Sequence, residues 1–371
     1  MRKKKRIAVL FGGQSAEHLV SLQSARAVIA HLNQDKYEVI PLGIDQQGGW
    51  HWLDCAKLEW VWENQEIPLI GEASGGDLQK PRALLPANFS QMIDVVFPVL
   101  HGPFGEDGTV QGLIRLAHLP CVGSGVLGSA LCMDKSAMKK LLSAAGMPVA
   151  RFLTVCAADV LHIDEIVDKL GLPLFVKPAN LGSSIGISKV KSSDQLFAAL
   201  EKAFLYDERA IIEECIVGRE IECSVLGDLK PWASLPGEIF SQREFYDYEA
   251  KYIDRQGAFF ELPARLPQEK IVEIQKLAVR AFQELQCSGM ARVDFFLSDE
   301  GKIIINELNT IPGFTEISLY PKLWEVSGVS YRDLLDQLIE LAINRFQRQQ
   351  ARGAFLLTEK TVATASKKPS F

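Results

Sequence analysis

Two predicted strands late in the chain carry polar side chains that could do chemistry. The strands cover residues 290–297 and 302–309, and a turn at 298–301 separates them. The polar side chains among their apolar residues include Arg292, Asp294, Glu307 and Asn309. A two- or four-residue connection would set Arg292 opposite Glu307 and place all four on one face, whereas a three-residue bulged loop would turn the two pairs apart.

A strand face with two carboxylates favours a bound cation. Two bare carboxylates near 4 Å repel by about 4 kcal/mol at an effective dielectric constant near 20. Two carboxylates and one amide suit Mg²⁺, which proteins commonly hold with one or two carboxylates while phosphates complete its shell. We therefore predict Asp294, Glu307 and Asn309 as magnesium ligands. The alternative is a salt-bridged strand face that meets solvent.

A loop rich in glycine and serine, residues 182–186, follows a short predicted strand that ends near Lys177. Backbone N–H groups without bulky side chains can wrap a phosphate, and the lysine ammonium would stand beside it. A surface lysine next to a flexible turn would explain the same residues. Together with magnesium, a phosphate loop indicates a nucleotide. No histidine follows position 162, and this favours phosphoryl transfer over histidine-dependent hydrolysis.

Two glycine patterns match known fingerprints without the context that the fingerprints require. Residues 123–128 fit G-x-G-x-x-G, but residues 143–150 contain no acid that could bind a ribose hydroxyl. Residues 182–186 fit the G-x-S-x-G of hydrolases, in which the order is serine, acid, histidine, yet all six histidines precede Ser184. Both patterns therefore give weak support to an oxidoreductase or a hydrolase.

The first third of the chain alternates between strand and helix signals. Three apolar runs are typical of strands: residues 7–10, 39–44 and 94–100. Apolar residues at helical spacing lie between the first two runs, which predicts a βαβ unit and a parallel sheet. Ligands of such sheets bind at the carboxyl ends of the strands, and the loops there are residues 12–17 and 101–108.

From about residue 352 onward, the apolar residues show no sustained helical or strand periodicity, which predicts a loose tail.

Composition limits the class of protein. The 371 residues are 47% hydrophobic and 23% charged, which is typical of a folded globular chain. The net charge of −6 gives no strong field for nucleic acid, and no apolar run is long enough to span a membrane. Seven cysteines without C-x-x-C spacing are expected to be reduced packing residues. We expect a cytoplasmic protein without nucleic-acid or membrane partners.

Taken together, the motifs resemble the D-alanine:D-alanine ligases of the ATP-grasp superfamily. The similarity extends from Ile7 to about Asn344. Five segments in the order of the family carry it: Phe11–His18, His101–Gly108, Lys177–Ser184, Phe245–Tyr252 and Asn306–Gly313. The resemblance implies an α/β and α+β fold, with an N-terminal Rossmann-like parallel sheet domain and a two-lobed ATP-grasp fold.

The implied domains have approximate boundaries. Residues 1–134 form the N-terminal substrate-binding domain, and residues 135–225 form the central lobe. Residues 226–346 form the C-terminal lobe with the metal site and a lid loop, and residues 347–371 form the tail.

The resemblance implies an ATP site between the two lobes. Lys135 and Lys177 match the lysines that contact the phosphates, residues 213–216 match the adenine-binding strand, and Glu220 matches the ribose partner. The further residues that it implies for ATP are Ser183, Ser184, Glu213, Glu214, Cys215, Ile216 and Phe245. It also implies two Mg²⁺ ions, replaceable by Mn²⁺, at the three ligands predicted above.

The resemblance also implies a site for the two amino acids. Glu17 matches the residue that receives the ammonium of the first D-alanine, and His101 also belongs to this site. Lys251 and Ser318 match the groups that take the carboxylate of the second D-alanine. Arg292 and the backbone N–H of Gly313 match the pair that stabilises the transition state.

A lid over this site is implied at residues 245–252, latched by hydrogen bonds among Tyr252, Ser183 and Glu17. Relatives that form a D-alanyl-D-lactate ester carry histidine near Tyr252, so tyrosine favours the dipeptide. Two departures from the family pattern stand at Leu19, where an acid is usual, and at Glu214, where lysine or glutamine is frequent.

The activity implied is ATP-dependent joining of two D-alanines through an acyl phosphate, with ADP and phosphate as products, for peptidoglycan precursors. The family also suggests a homodimer. Two other functions stay open at this point. One is an ATP-grasp ligase with a different acceptor, and the other is a non-catalytic nucleotide-binding regulator.

Overall fold

We describe a computed structural model over residues 3–67, 85, 88–241 and 258–365. Its first sheet has four strands: β1 (Lys5–Gly12), β2 (Tyr37–Ile44), β3 (Trp50–Trp52) and β4 (Val95–Val99). The strand order is β3-β2-β1-β4, and β1 pairs in parallel with both β2 and β4. Helix α1 (His18–His31) connects β1 to β2. The predicted βαβ unit and parallel sheet are confirmed.

Short helices lie between β3 and the second sheet along the chain. They are α2 (Leu58–Asn64), α3 (Phe89–Met92), α4 (Thr109–Leu116), α5 (Val126–Met133) and α6 (Lys135–Ala144). A 3₁₀ helix at Cys55–Lys57 precedes α2. The Asp134 side chain caps α6 by accepting a hydrogen bond from the Ala137 N–H, which fixes where the helix begins.

The second sheet is antiparallel and has four strands: β5 (Phe152–Cys156), β6 (Leu174–Pro178), β7 (Ser188–Val190) and β8 (Arg209–Glu214). Its order is β5-β8-β6-β7. Helices α7 (Ile163–Leu170) and α8 (Leu196–Phe204) bury apolar side chains against it, with a 3₁₀ helix at Ser193–Gln195 before α8. The phosphate-loop candidate, residues 182–186, lies between β6 and β7.

The third sheet contains six strands in the described residues: β9 (Gly218–Gly227), β10 (Trp232–Ala233), β11 (Gly237–Ser241), β12 (Ala258–Glu261), β13 (Gly289–Ser298) and β14 (Ile303–Asn309). The order is β12-β11-β9-β13-β14, and β10 pairs with β9. Helix α9 (Gln268–Glu284) buries Ile274 and Ala281 of its apolar stripe against this sheet. The predicted boundary between residues 225 and 226 falls inside β9, so a division at 215–217 fits the sheets better.

The register of the β13–β14 hairpin differs from the predicted one. Arg292 pairs with Asn309, not with Glu307, and Asp294 pairs with Glu307. The connection has three residues, because the Ser298 N–H bonds the Lys302 carbonyl, and this alone would turn the polar pairs apart. A bulge in β14 between the Asp294 and Phe295 pairings adds a second one-residue shift. The two shifts cancel, and the polar residues return to one face.

The last two helices are α10 (Leu319–Val326) and α11 (Tyr331–Ala365). Helix α11 continues through most of the segment 347–371, where the sequence predicted a loose tail. No proline interrupts it, and each added residue of a formed helix gains one backbone hydrogen bond without a new nucleation cost. The pattern of apolar residues was therefore a poor guide to where this helix ends.

One core joins the first sheet to the C-terminal segment. Phe97 of β4 packs edge-on against Phe314, with ring centroids 5.8 Å apart, and Tyr320 and Trp324 of α10 complete the cluster. The N-terminal loops are therefore held beside the end of β14. Within the described residues, no helix is long and apolar enough to cross a membrane.

Candidate functional site

A cavity of about 310 Å³ lies between the second and third sheets. Nine of the predicted ATP-binding residues line it: Lys135, Lys177, Ser183, Ser184, Glu213, Glu214, Cys215, Ile216 and Glu220. They come from α6, from both sheets and from the loop after β6. Asp294 and Glu307 line the same cavity. The structure thus places lysines and carboxylates around one space, as binding of a metal–polyphosphate requires.

A buried carboxylate holds two lysines behind this cavity. Glu213 is only 3% exposed, and its two oxygens lie 2.9 Å from Lys177 Nζ and 3.3 Å from Lys139 Nζ. Burial alone would raise the pKa of Glu213, but Lys139 and Lys177 outweigh it and lower this pKa. Burial lowers the pKa of Lys139, whereas Glu213 and Glu307 together overcome burial at Lys177 and raise its pKa.

Lys139 was missed by the sequence reasoning. Two signals were present: it stands four residues after Lys135 on α6, and it follows the buried Met138 on the apolar side of that helix. A lysine inside an apolar stripe is ordinarily assigned to a helix surface. Only its partner on β8, 74 positions away in sequence, shows why it is buried.

The loop after β6 reaches back to the N-terminal sheet. Ser183 and Ser184 both have left-handed backbone conformations, with φ of 50° and 59°. Residues other than glycine adopt this conformation at a cost in conformational energy. The Ser183 hydroxyl donates a hydrogen bond to the Glu17 carboxylate. Glu17 directly precedes α1 and is 7% exposed. Two members of the predicted latch are thus in contact.

A smaller cavity of about 110 Å³ adjoins the first, and four residues line both: Gly182, Ser183, Glu222 and Glu307. Glu17, His101, Arg292, Gly313 and Ser318, all predicted for substrate or catalysis, line the smaller one. A Cβ at Gly313 would lie 2.7 Å from Ser318 Oγ, so only glycine allows this approach. The predicted amino-acid residues therefore lie beside the predicted nucleotide residues.

Arg292 bridges two acids in the wall between the cavities. Its guanidinium lies 2.9 Å from Glu222 and donates to both oxygens of Asp294 at 2.7 Å. Glu222, Asp294 and Glu307 are direct neighbours on β9, β13 and β14, which forms a row of three acids across the sheet. Like charges directly opposite repel, so Arg292 offsets a repulsion that the sheet itself creates. Glu222 was not predicted from the sequence.

The donor set fits a magnesium ion. Asp294 and Glu307 face the same cavity, Asn309 lines the smaller one, and the Asn309 amide donates to Asp294 Oδ2 at 3.0 Å. Arg292 also donates to both Asp294 oxygens, so a bound metal would compete with these donors for the lone pairs of Asp294. Among the described residues no group of three or more histidine, cysteine or acidic side chains could hold a metal. The set proposed here has two acids and completes its donors with an amide.

Glu106 is a further acid that the sequence reasoning did not single out. It lines the smaller cavity beside Glu17 and accepts hydrogen bonds from the backbone of Gly102 at 2.7 Å and of Ile311 at 3.3 Å. Burial, with the charge of Glu17, raises its pKa to about 8. The signal was its position in the loop 101–108, which was predicted to carry ligands.

Three predicted residues, Phe245, Lys251 and Tyr252, lie outside the described residues, as does the predicted lid at 245–252. Their roles stay predictions.

Comparisons with known proteins agree with one another. The family model "D-ala D-ala ligase N-terminus" matches residues 6–124, and "D-ala D-ala ligase C-terminus" matches residues 141–340. A D-alanine–D-alanine ligase of Oceanobacillus iheyensis is 49% identical over 356 residues, which cover 94% of this chain and 97% of the relative.

Two solved structures extend the comparison. The D-alanine–D-alanine ligase of Coxiella burnetii superposes with a TM-score of 0.82 at 39% identity, over 96% of this chain and 99% of that one. The Bacillus anthracis ligase, solved in complex with ATP, gives a TM-score of 0.71 at 31% identity, over 93% and 99% of the two chains.

Proposed function

The chain belongs to the D-alanine–D-alanine ligase family, and from that premise we propose how its residues join two D-alanines at the expense of ATP. A carboxylate resists nucleophilic attack because it is already negative. ATP therefore transfers its γ-phosphoryl group to the carboxylate of the first D-alanine, which yields an acyl phosphate and ADP. The free amine of the second D-alanine attacks this carbonyl, phosphate leaves, and the amine loses a proton.

We assign neutralisation of the nucleotide phosphates to Lys135 and Lys177. Lys177 is held by Glu213, so its ammonium is oriented before ATP arrives. Lys135 donates to the Leu181 carbonyl and lies 3.7 Å from Glu307, which keeps it at the mouth of the loop 182–186. The backbone of Glu214, Cys215 and Ile216 is proposed to contact adenine, and Glu220 the ribose.

We assign Asp294, Glu307 and Asn309 to magnesium, with a second ion and Mn²⁺ substitution as further proposals. Bound magnesium would neutralise charge on the transferred phosphoryl group. The residues contribute the all-oxygen donor set at the boundary between the two cavities.

The smaller cavity is proposed to hold the amino acids. Glu17 would receive the first ammonium, and Ser318 with Lys251 would take the second carboxylate. Negative charge develops on the carbonyl oxygen when the amine attacks, and donors already aimed there stabilise it without reorganising. We assign this task to Arg292 and the backbone N–H of Gly313. Water would destroy the acyl phosphate, so we propose that a lid that includes Tyr252 closes over this cavity.

The observation that carries the assignment is the shared wall of the two cavities. Ser183 and Glu307 line both, so a phosphoryl donor in one and a carboxylate in the other would meet there. The direct test incubates the protein with ATP, Mg²⁺ and D-alanine and measures the dipeptide by mass and phosphate release. Product should need all three components, and L-alanine should not replace D-alanine.

Two outcomes would contradict the proposal. Phosphate release without D-alanine, or nucleotide binding without product, would indicate a different role for the cavity. Preferential use of D-lactate or D-serine as the second substrate would move the protein to another acceptor class. A homodimer in a cytoplasmic setting also stays a proposal, and sedimentation of the purified chain would test the dimer.

A further inference from the structure

Two buried side chains from the N-terminal part of the chain hold the loop that follows β14. Ser24 of α1 is fully buried, and His101, after β4, is 5% exposed. His101 Nδ1 lies 3.0 Å from the Ile311 carbonyl oxygen, and His101 Nε2 lies 3.2 Å from Ser24 Oγ. The Phe314 N–H donates to the same Ser24 oxygen at 3.2 Å. Gly313 therefore lies between two residues that are anchored from the other side of the site.

With a neutral imidazole, the donors and acceptors of this network allow one proton arrangement. A carbonyl oxygen can only accept, so His101 Nδ1 must carry the hydrogen that faces Ile311. Ser24 Oγ accepts from Phe314 and can then donate its own proton to a bare Nε2. Burial lowers the pKa of His101, so the neutral ring that this arrangement needs is the favoured form. A proton on Nε2 would take away the acceptor toward which the Ser24 hydroxyl points.

Both ring nitrogens of His101 are thus engaged by protein atoms. The family resemblance placed His101 in the site of the two amino acids, and its side chain lines the smaller cavity. Glu106 adds a further bond, because its carboxylate accepts from the Ile311 N–H at 3.3 Å. The loop 311–314 is held at the Ile311 N–H, the Ile311 carbonyl and the Phe314 N–H, and all three partners belong to the N-terminal half of the chain.

We infer that Ser24 and His101 are positioning residues that fix the backbone N–H of Gly313 toward the reacting carbonyl. The inference rests on the proposed function, because it assigns these residues a task in the same reaction. A donor displaced by about 1 Å loses much of its effect, and such displacements cost up to about a hundredfold in rate. The chain continues from this loop to Ser318, whose hydroxyl oxygen accepts a hydrogen bond from the Thr315 N–H at 3.0 Å.

The first test compares two serine substitutions on the same helix. Ser24→Ala removes the hydroxyl that joins His101 to Phe314. Ser21→Ala is the matched control, because Ser21 is also fully buried and its hydroxyl also bonds two backbone groups, those of Gly12 and Val99, both in the N-terminal sheet. We expect Ser24→Ala to lower kcat roughly tenfold to a hundredfold with KM for ATP changed less than about twofold. Ser21→Ala should lower the melting temperature similarly, with a much smaller loss of kcat.

The second test needs no activity. Nitrogen-15 NMR of histidine-labelled protein at pH 7 should show His101 with hydrogen on Nδ1 and a bare Nε2, identified by loss of its signals in His101→Gln. Ser24→Ala should shift the Nε2 signal. A wild-type ring with hydrogen on Nε2, or Ser24→Ala with wild-type kcat, would overturn the inference. Wild-type protein that makes no dipeptide would instead overturn the proposed function and leave the NMR result standing.

Discussion

Replacing Arg292 should lower both the folding stability and the turnover of the enzyme, and the two effects can be separated. Its side chain is 17% exposed and lies between Glu222 and Asp294, whose side chains are 7% and 13% exposed. Arg292→Met removes the cation and leaves two adjacent buried carboxylates without it. Removing one partner of a buried ion pair costs about 3–5 kcal/mol, a large part of the usual stability of a folded domain. Loss of a transition-state donor costs a further hundredfold or more in turnover.

A double variant separates the two effects. Glu222→Gln in the Arg292→Met background removes one of the two repelling charges, so it should regain part of the lost thermal stability. It should not regain turnover, because the donor is still missing. Thermal unfolding and steady-state dipeptide formation are measured on wild type, both single variants and the double variant.

Arg219→Met is the matched control. Arg219 also pairs with a buried acid across neighbouring strands, at 2.7 Å from Glu238, whose side chain is 3% exposed, but neither residue lines the two cavities. We expect a smaller loss of stability, because the Arg219 side chain is 39% exposed and pairs with one acid, with turnover within about threefold of wild type. Recovery of turnover in the double variant would show that Arg292 acts only as an ion-pair partner. A loss of turnover in Arg219→Met equal to that in Arg292→Met would show that destabilisation explains the loss in both variants.

Three further predictions follow from the site. Lys139→Met should leave Glu213 paired with Lys177 alone and so reduce the positive charge that faces the phosphates, which raises KM for ATP more than it lowers kcat; an unchanged KM would refute this. Glu106 has a pKa raised to about 8, so its contribution to stability is full below about pH 4.5 and is lost as pH rises through 8; Glu106→Gln should remove a few kcal/mol of this pH dependence, measured as thermal midpoints from pH 5 to 9, and parallel curves would contradict it. Asn309→Ala should raise the Mg²⁺ concentration for half-maximal activity by roughly tenfold, and an unchanged Mg²⁺ requirement would remove Asn309 from the metal site.

Local sequence patterns predicted the helices and strands well, but they predicted the contacts between distant segments less well. The β1-α1-β2 unit follows from apolar periodicity, which is a property of neighbouring residues. The pairing of Arg292 with Asn309 does not, because it depends on the length of one turn and on one bulge, and neither has a strong sequence signal. A one-residue error in either would have moved Glu307 to the wrong face.

The missed residues share a physical cause. Lys139, Glu106 and Glu222 are charged side chains that sequence patterns assign to the surface, and their burial is tolerable only because of partners far along the chain. The residues that the family resemblance supplied were brought into two adjoining cavities wherever the structure describes them. Their individual roles stay proposals that the variants above can test.

The cancelling shifts in the β13–β14 hairpin limit how this segment can change in length. Asn306 is the extra residue of β14, since Glu307 pairs with Asp294 while Ile305 pairs with Phe295. Asn306 lies outside the pairing, so deleting it alone would remove the bulge and leave Glu307 opposite Asp294. Deleting one residue from 299–301 would likewise shorten only the turn. The hairpin can therefore lose a residue at either of these two places without moving Glu307 from its face, whereas losing a paired residue would move side chains to the other face.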